Sequence, residues 1–441
     1  MSDLIAYINN QQWQELQQWY AEHDVLEIVD ELYRLNSAEL AIAFRMLSKD
    51  IALEVFESMD PPQQSSLISS LRDVQVRDLI EELDPDDRVR LIDELPAKLA
   101  KEVLEGLSPR ERKLTSILMG YPEESVGRAM SPEFVALKQT MAASEALDKV
   151  RRLGRAAESI YMLPVTDESL VLLGVISLRR LVLAEADTVI SDIMTTDVYF
   201  TRVDEDREKA ARLIQEADLI ALPVVDMENR LVGILTFDDA MEILEHEHTE
   251  DIALGGASKP LEMPYLSASV SYIARSRALW LLVLILAATL SINVLNYFEE
   301  SLEAVVTLAL FIPLLIDTGG NVGSQSSTLI VRAMAVNEVR IGDFLKVIFR
   351  ETQVGLLLGA MLAVIALLPI SMIFDSQIAM VLSLSLVTIC LIAAITGAAL
   401  PMVANRVGID PAVVSAPIIT TLVDATGLAV YFLIANAILG I

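Results

Sequence analysis

The sequence predicts a multidomain protein: an all-α helical solenoid, then an α/β pair of tandem domains, then an α-helical membrane domain with five transmembrane helices. Three observations predict this order, namely a segregation of charge, two internal repeats and five long apolar segments. The chain has 441 residues, a formal net charge of −29 and a mean hydropathy of +0.48. Residues before Ile273 carry 52 acidic and 26 basic side chains, whereas the remainder carries 10 and 7. An acidic soluble region therefore precedes a nearly neutral membrane region.

The acidic charge restricts the classes of partner. It repels nucleic acid and anionic lipid and concentrates small cations, so we expect divalent cations and no nucleic acid among the partners. The single cysteine, Cys390, lies in an apolar run and cannot form an internal disulfide. The first residues, MSDLIAYINNQQWQE, have neither the basic flank nor the apolar core of a signal peptide. We therefore expect the soluble half to be cytosolic.

Residues 1–128 contain a 24-residue repeat that predicts the helical N domain. Each repeat pairs an apolar residue with a helix-capping residue, often followed by proline, which is typical of helix starts. Further start signals lie halfway between these positions, so short helices should stack as hairpins in a small solenoid. The main signals are Leu35-Asn36-Ser37, Met59-Asp60-Pro61, Leu83-Asp84-Pro85 and Leu107-Ser108-Pro109, and the intermediate ones are Leu47-Ser48, Leu71-Arg72 and Leu95-Pro96.

Residues 129–240 contain a different repeat, of 59 residues. Leu163-Pro164-Val165 matches Leu222-Pro223-Val224, and Gly174-Val175-Ile176 matches Gly233-Ile234-Leu235. Each unit reads as a helix, a strand, a turn, a second strand and another helix. The pair resembles tandem cystathionine-β-synthase (CBS) domains.

The CBS resemblance implies at most one complete nucleotide site. In that family a Thr or Ser followed by Asp three residues later meets a nucleotide ribose. The second unit has Thr236 and Asp239, whereas the first has Ser177 and Arg180. ATP or another adenine nucleotide is thus a candidate regulator.

Five apolar segments occupy residues 273–441, at about 274–297, 302–334, 344–374, 379–407 and 410–440. Each exceeds the ~20 residues that cross a bilayer. The link before the first segment and every second link thereafter carry Lys or Arg, whereas the alternate links carry only acids. The positive-inside rule then predicts a cytosolic soluble half, an outside C-terminus and a location in the plasma (inner) membrane.

The second span contains PLLIDTGGNVGSQSS, residues 313–327. We expect it to interrupt the helix, because irregular backbone at membrane depth is tolerated where it lines a polar cavity. The alternative is a packing feature, in which Gly319, Gly320 and Gly323 let another helix approach closely. Asp317, Asn321 and their polar neighbours favour an ion pathway, because polar groups in lipid are costly and usually functional.

The last span carries two acids with different predicted roles. Asp410 precedes a proline and is typical of a helix cap. Asp424 lies fourteen residues further on, with no Lys or Arg in its helix. A buried, unpaired carboxylate should become protonated or bind a cation.

The motifs of the second and last spans resemble those of the MgtE family of magnesium channels. In the second span the motif is Gly319-Gly320-Asn321 with Gly323-Ser324-Gln325-Ser326. In the last span it is Asp410-Pro411 with Thr420-Thr421, Asp424 and Gly427. The resemblance covers essentially the whole chain and implies a homodimer whose pore is walled by the second and fifth spans. Asp424 matches the family's ion-recognising aspartate, and Gly319, Gly320, Asn321, Thr420 and Thr421 match the pore motifs. Asp317 departs from the small or apolar residue expected in this family. It either faces the pore or is held by hydroxyls such as those of Thr318 and Ser324.

The resemblance also implies regulatory Mg²⁺ at cytosolic acids, with residues 241–272 as an acidic connecting segment. The candidate ligands are the acids that match the family's cytosolic ligands, and Asp410 in addition. The matching acids are Asp206, Glu208, Asp218, Asp239, Glu247, Glu250 and Asp251. His246 and His248 depart from the family pattern and raise the alternative of a softer metal such as zinc. Their two-residue spacing, however, directs them to different faces of a helix.

Together these features predict a Mg²⁺-selective channel or transporter that imports magnesium and is gated by Mg²⁺ at its cytosolic domains. One alternative is a broader pathway that also passes Co²⁺, Ni²⁺ or Mn²⁺, and another is a membrane-anchored CBS sensor without transport. We predict no enzyme, because the chain shows no nucleophile with a base, no phosphate-cradling loop and no redox centre.

Overall fold

The computed structural model of the chain describes residues 3–10, 12–71, 79–261, 265, 268–414 and 416–440. They form two compact units, one built largely from residues up to 247 and the other largely from residues after 247.

The first unit begins with short helices that confirm the predicted helix starts. Ser48, Asp84 and Ser108 precede helices at the predicted positions, and the Ser108 side chain accepts a hydrogen bond from the backbone N–H of Glu111. The start predicted after Leu71-Arg72 lies outside the described residues. The helices are α1 Asp3–Asn9, α2 Trp13–Glu22, α3 Val25–Leu32, α4 Ser37–Arg45, α5 Lys49–Glu57, α6 Pro61–Leu71, α7 Pro85–Glu94, α8 Ala97–Gly106 and α9 Pro109–Leu118.

The 59-residue repeat forms two three-stranded sheets, as predicted. In each sheet the first strand pairs parallel with the second, and the second pairs antiparallel with the third. Apolar residues of these strands and of the neighbouring helices form the two cores. The elements are α10 Val126–Ala129, β1 Leu137–Lys138, α11 Ala143–Leu153, a 3₁₀ turn Gly154–Ala156, β2 Met162–Thr166, β3 Leu172–Ser177, α12 Leu178–Val182, α13 Ile190–Ile193, β4 Thr201–Arg202, α14 Arg207–Glu216, β5 Ala221–Val225 and β6 Leu231–Thr236.

The helix that follows the second sheet is α15, Phe237–Gly255. It begins within the CBS region and continues without interruption through the acidic connecting segment. The boundary predicted between residues 240 and 241 therefore falls inside one helix.

The second unit contains five helices that are long and apolar enough to cross a membrane, among the described residues. This matches the predicted number of spans. Short 3₁₀ segments precede three of them, at Val306–Phe311, Ile341–Asp343 and Pro411–Val413. The α-helices of this unit are α16 Val270–Tyr297, the short α17 Glu299–Ala304, α18 Ile312–Ala335, α19 Phe344–Ile373, α20 Ser376–Arg406 and α21 Ala416–Leu439.

The prediction that residues 313–327 interrupt the second span is wrong. They lie within α18, which runs without a break from Ile312 to Ala335, and the irregular segment is instead the 3₁₀ turn at Val306–Phe311. Close packing explains why the glycines are accommodated in a helix. A Cβ on Gly319 would stand 2.8 Å from Ile389 Cγ2 and 2.9 Å from Val423 Cγ1. The glycines thus let α18 approach α20 and α21, which is the packing alternative raised above.

Candidate functional site

Asp424 lies on α21 and faces the glycine-rich part of α18. A Cβ on Gly320 would stand 3.1 Å from Thr420 Cγ2 and 3.8 Å from Asp424 Oδ1. Asp424 Oδ1 is buried and has no hydrogen-bond partner among the described residues. Because α21 begins at Ala416 and not at Asp410, Asp424 is eight residues from the helix start. At 1.5 Å per residue this is about 12 Å, less than the depth implied by a helix that starts at Asp410.

A polar stripe runs along α18 next to Asp424. It consists of Asp317, Asn321 and Gln325, which are spaced four residues apart and are all exposed in this single chain. Ser324 flanks the stripe, and its buried Oγ has no hydrogen-bond partner among the described residues. The Thr318 hydroxyl donates to the Leu314 carbonyl at 2.7 Å, so it is not directed to Asp317.

The other predicted residues of the last span form local hydrogen bonds. The Thr420 and Thr421 hydroxyls both donate to the Pro417 carbonyl, at 2.9 and 2.8 Å. Asp410 caps the 3₁₀ turn, since its Oδ1 accepts a 2.8 Å hydrogen bond from the backbone N–H of Ala412. The capping role predicted for Asp410 is therefore present, and a ligand role remains a prediction.

One intramembrane carboxylate was missed by sequence reasoning. Glu351 on α19 accepts a 2.6 Å hydrogen bond from the Ser326 hydroxyl on α18. A lone acid in the apolar segment 344–374 was the available signal.

In the first unit, three carboxylates converge from distant parts of the sequence. Ligand oxygens of Asp86 and Asp87 on α7 and of Asp239 on α15 all lie within 4.8 Å of one another. Asp86 is only 3% exposed, and its Oδ1 has no hydrogen-bond partner among the described residues. An all-carboxylate set suits Mg²⁺ or Ca²⁺, which prefer oxygen ligands.

The pKa values of these acids show that their charge is poorly compensated. Burial raises the pKa of Asp86 well above its ordinary range, and the charges of Asp239 and Asp87 raise it further. Burial raises the pKa of Asp239 to about 7, although a hydrogen bond from the Thr236 hydroxyl and the charge of Arg90 lower it. A divalent cation would relieve this repulsion.

Other predicted cytosolic ligands have different partners. Asp206 caps α14 by accepting from the backbone N–H of Glu208 at 2.8 Å, and Asp218 is exposed with a φ of 51°. Glu208 pairs with Arg212, and Glu247 pairs with Arg207 at 3.2 Å. Among the described residues, only Asp239 of the predicted set belongs to the convergent group.

The remaining predicted ligands lie near the end of α15. Glu250 and Asp251 are partly buried there, whereas the exposed His246 and His248 do not belong to the convergent group found among the described residues. The ligand roles of these residues remain predictions.

The predicted nucleotide pair is close in space. The Thr236 hydroxyl donates to the carboxylate of Asp239. A surface cavity of about 380 Å³ lies instead in the first CBS unit, beside Ser177, Arg179 and Arg180.

Sequence reasoning also missed Asp86 and Asp87. Their signal is the run Asp84-Pro85-Asp86-Asp87, of which only Asp84-Pro85 enters the predicted helix start. Acids in a first helical turn are favourable to the helix dipole, so this local explanation masked the convergence with α15.

Comparisons with known proteins cover the same regions. A family model described as a divalent cation transporter, MgtE, matches residues 312–434. The MgtE intracellular N domain model matches residues 23–124, and the CBS model matches 126–187 and 190–246.

Several relatives and solved structures are similar to this chain. The magnesium transporter MgtE of Thermus thermophilus is 41% identical over 330 residues, which cover 75% of this chain and 73% of that protein. The magnesium transporter MgtE of Bacillus subtilis is 35% identical, over 74% of this chain and 72% of that protein. A crystal structure of the cytosolic domain of the Mg²⁺ channel MgtE in complex with ATP is 32% identical, with a TM-score of 0.45, and covers 52% of this chain and 99% of that one.

The N domain, CBS and transporter models thus match in the same order along the chain as the short helices, the two sheets and the membrane helices. The sequence identity extends over most of the length of the relatives. This chain belongs to the MgtE family.

Proposed function

We propose that this chain conducts Mg²⁺ across a membrane and that Mg²⁺ bound by its cytosolic acids closes the pathway. The observation that carries the proposal is the carboxylate of Asp424, which lies in a membrane-spanning helix beside Gly320 with a buried oxygen that no described residue satisfies. An intramembrane carboxylate of this kind is costly unless a cation or a proton compensates it.

The chemistry of Mg²⁺ fits such a site. Mg²⁺ prefers six oxygen ligands and gives up its water slowly, so a pathway that holds a hydrated ion suits it better than one that strips the ion. Because α18 and α21 are continuous at these positions, their carbonyls are used within the helices. The side chains of Asp424, Asn321 and Asp317, and not freed carbonyls at Gly319, Gly320 or Thr420, would meet the coordinated water.

The polar stripe supports a homodimer. Asp317, Asn321 and Gln325 are exposed on a membrane-spanning helix, and lipid offers polar side chains no hydrogen bonds. A second copy that covers this face would enclose a polar pathway between two α18 helices and bring two Asp424 carboxylates to it.

The orientation rests on the positive charges of the loops. Arg275 and Arg277 precede the first span, and Arg340 and Lys346 lie at the link between the second and third spans. This distribution supports a cytosolic N-terminal half, an outside C-terminus and a location in the plasma membrane.

The cytosolic sensor would include the convergent acids Asp86, Asp87 and Asp239. They come from two helices far apart in sequence, so an ion bound between them would hold α7 against α15. The other proposed ligands are Asp206, Glu208, Asp218, Glu247, Glu250, Asp251 and Asp410.

An adenine nucleotide is a further candidate regulator, which would use Thr236 and Asp239. Since Asp239 is also a proposed Mg²⁺ ligand, nucleotide and Mg²⁺ would change each other's affinity by the same factor.

Reconstitution tests the proposal and its alternatives. The purified protein in liposomes should admit Mg²⁺ to an enclosed indicator dye, and raised Mg²⁺ on the side of the soluble domains should slow this entry. Equal entry of Co²⁺, Ni²⁺ and Mn²⁺ would favour the broader divalent pathway. A lack of ion entry under all Mg²⁺ conditions would favour a sensor without transport.

A further inference from the structure

We propose that Arg90 acts as a tethered cation that competes with Mg²⁺ for the cytosolic acid cluster and sets the Mg²⁺ concentration at which the cluster fills. The acid cluster is Asp86, Asp87 and Asp239. This inference rests on the proposed sensor function of that cluster and assigns a role to a residue that is not itself a ligand.

The position of Arg90 carries the inference. Arg90 lies on α7, one turn after Asp86 and Asp87, and its guanidinium donates to Asp87 and to Glu242. Glu242 lies on α15, three residues after Asp239. Arg90 therefore joins the same two helices that supply the acid cluster.

The negative charge of the three carboxylates in the acid cluster exceeds the positive charge that Arg90 supplies. Asp86 is almost fully buried and keeps an unpartnered oxygen beside the other two carboxylates. Within the cluster Arg90 donates to Asp87, whereas Asp239 accepts only from the Thr236 hydroxyl among the side-chain hydrogen bonds of the described residues. A single guanidinium thus compensates the cluster in part and leaves room for a small dication.

Arg90 and the dication would oppose each other. Both are attracted to Asp87, and like charges a few ångströms apart repel. The Arg90 side chain is 34% exposed, and Glu242 is more exposed still, so the guanidinium has a second partner at the rim of the cluster. When Mg²⁺ binds, Arg90 would give up Asp87 and keep Glu242, which lowers the apparent affinity without blocking the site.

The test is a Mg²⁺ titration of the full-length, nucleotide-free protein in detergent, followed by hydrogen–deuterium exchange of peptides that cover α7 and α15. Arg90→Gln should lower the Mg²⁺ concentration for half-maximal protection by roughly three- to tenfold, since an exposed charge is partly screened. Arg90→Lys keeps the positive charge and should stay near the wild-type midpoint.

Two controls separate this effect from others. Arg230→Gln makes the same charge change at an exposed ion pair with Glu228 and should leave the midpoint unchanged. In an Asp86→Asn, Asp239→Asn background, the Mg²⁺-dependent protection from this cluster should be lost whether or not Arg90→Gln is present.

The inference is overturned if Arg90→Gln leaves the midpoint unchanged, raises it or abolishes protection, or if Arg230→Gln lowers it equally. Wild-type protein that shows no Mg²⁺-dependent protection would instead contradict the proposed sensor itself.

Discussion

The carboxylate of Asp424 lies beside Gly320, and a Cβ at residue 320 would stand in van der Waals contact with it, 3.8 Å from Asp424 Oδ1. This relationship brings an intramembrane acid on α21 against a helix whose neighbouring face carries Asp317, Asn321 and Gln325. Small residues let membrane helices approach closely, and an ionisable residue at such an interface is usually functional.

The closest glycine contact of the second unit predicts a large effect on stability. A Cβ on Gly397 would stand 2.2 Å from the Gly323 carbonyl oxygen, which cannot be accommodated without moving α18 away from α20. Gly397→Ala should destabilise the protein by about 1–3 kcal/mol or more, seen as a lower midpoint in a thermal-unfolding assay in detergent. Gly342→Ala, where a Cβ meets no atom within 4 Å, is the control. Equal midpoints for the two variants would contradict the packing described here.

Glu158 predicts a pH-dependent stability of the first unit. Burial raises its pKa to about 8, helped by the charges of Asp84, Asp239 and Asp87 and opposed by a hydrogen bond from Ser131. Folding favours the protonated form of Glu158. The resulting contribution to the free energy of unfolding is complete below about pH 4.5 and is lost as the pH rises through 8. Glutamine mimics the protonated acid. In EDTA, Glu158→Gln should therefore match wild type near pH 4.5 and exceed it at pH 8.5.

The measurement for Glu158 is the midpoint of thermal unfolding followed by tryptophan fluorescence. The exposed Glu185→Gln should give no such pH-dependent gain. A Glu158→Gln advantage that is the same at both pH values would show that its cause is not the carboxylate charge.

Asp317 predicts a change in ion selectivity. If the side chain faces the pathway, Asp317→Asn should weaken Mg²⁺ permeation or its block of monovalent flux, because one carboxylate per chain is lost. Flux measurements with Mg²⁺ and K⁺ in liposomes check this, with the exposed Glu303→Gln as control. Reduced stability with unchanged selectivity would show that Asp317 is structural.

The cytosolic acids predict a Mg²⁺-dependent compaction. Millimolar Mg²⁺ should slow proteolysis of residues 245–256, because cations relieve the repulsion between acids that come together. Neutralising Asp239, Glu247, Glu250 and Asp251 together should abolish this protection while the pathway still conducts. A matched variant with four exposed acids neutralised, Glu145, Asp148, Glu185 and Asp192, should keep the protection. Cleavage that is equally fast with and without Mg²⁺ in wild type would contradict the sensor.

Local patterns predicted most of the fold, because each element carries its own signal. Ser108-Pro109 begins a helix through its cap, and the matching segments at Leu163 and Leu222 form equivalent strands in two sheets. The error at residues 313–327 has a physical origin. Glycine lowers helix propensity locally, but the close approach of α18 to α20 and α21 compensates, and that packing is not visible in the sequence of one segment.

The candidate sites were predictable only in part. Asp424 was identifiable by itself, because an acid in an apolar helix is unusual. Asp86 and Asp87 had a sufficient local explanation as first-turn acids, and only the fold brings them to Asp239, about 150 residues away in sequence.

The most direct test of the central claim is the rate of Mg²⁺ uptake into liposomes that contain the Asp424→Asn protein. Asparagine keeps the size of the side chain and removes its charge, so uptake should fall by at least roughly tenfold relative to wild type. Asp375→Asn, at the cap of α20, should transport like wild type, since asparagine also caps helices. Unchanged Mg²⁺ uptake by correctly folded Asp424→Asn protein would contradict the account.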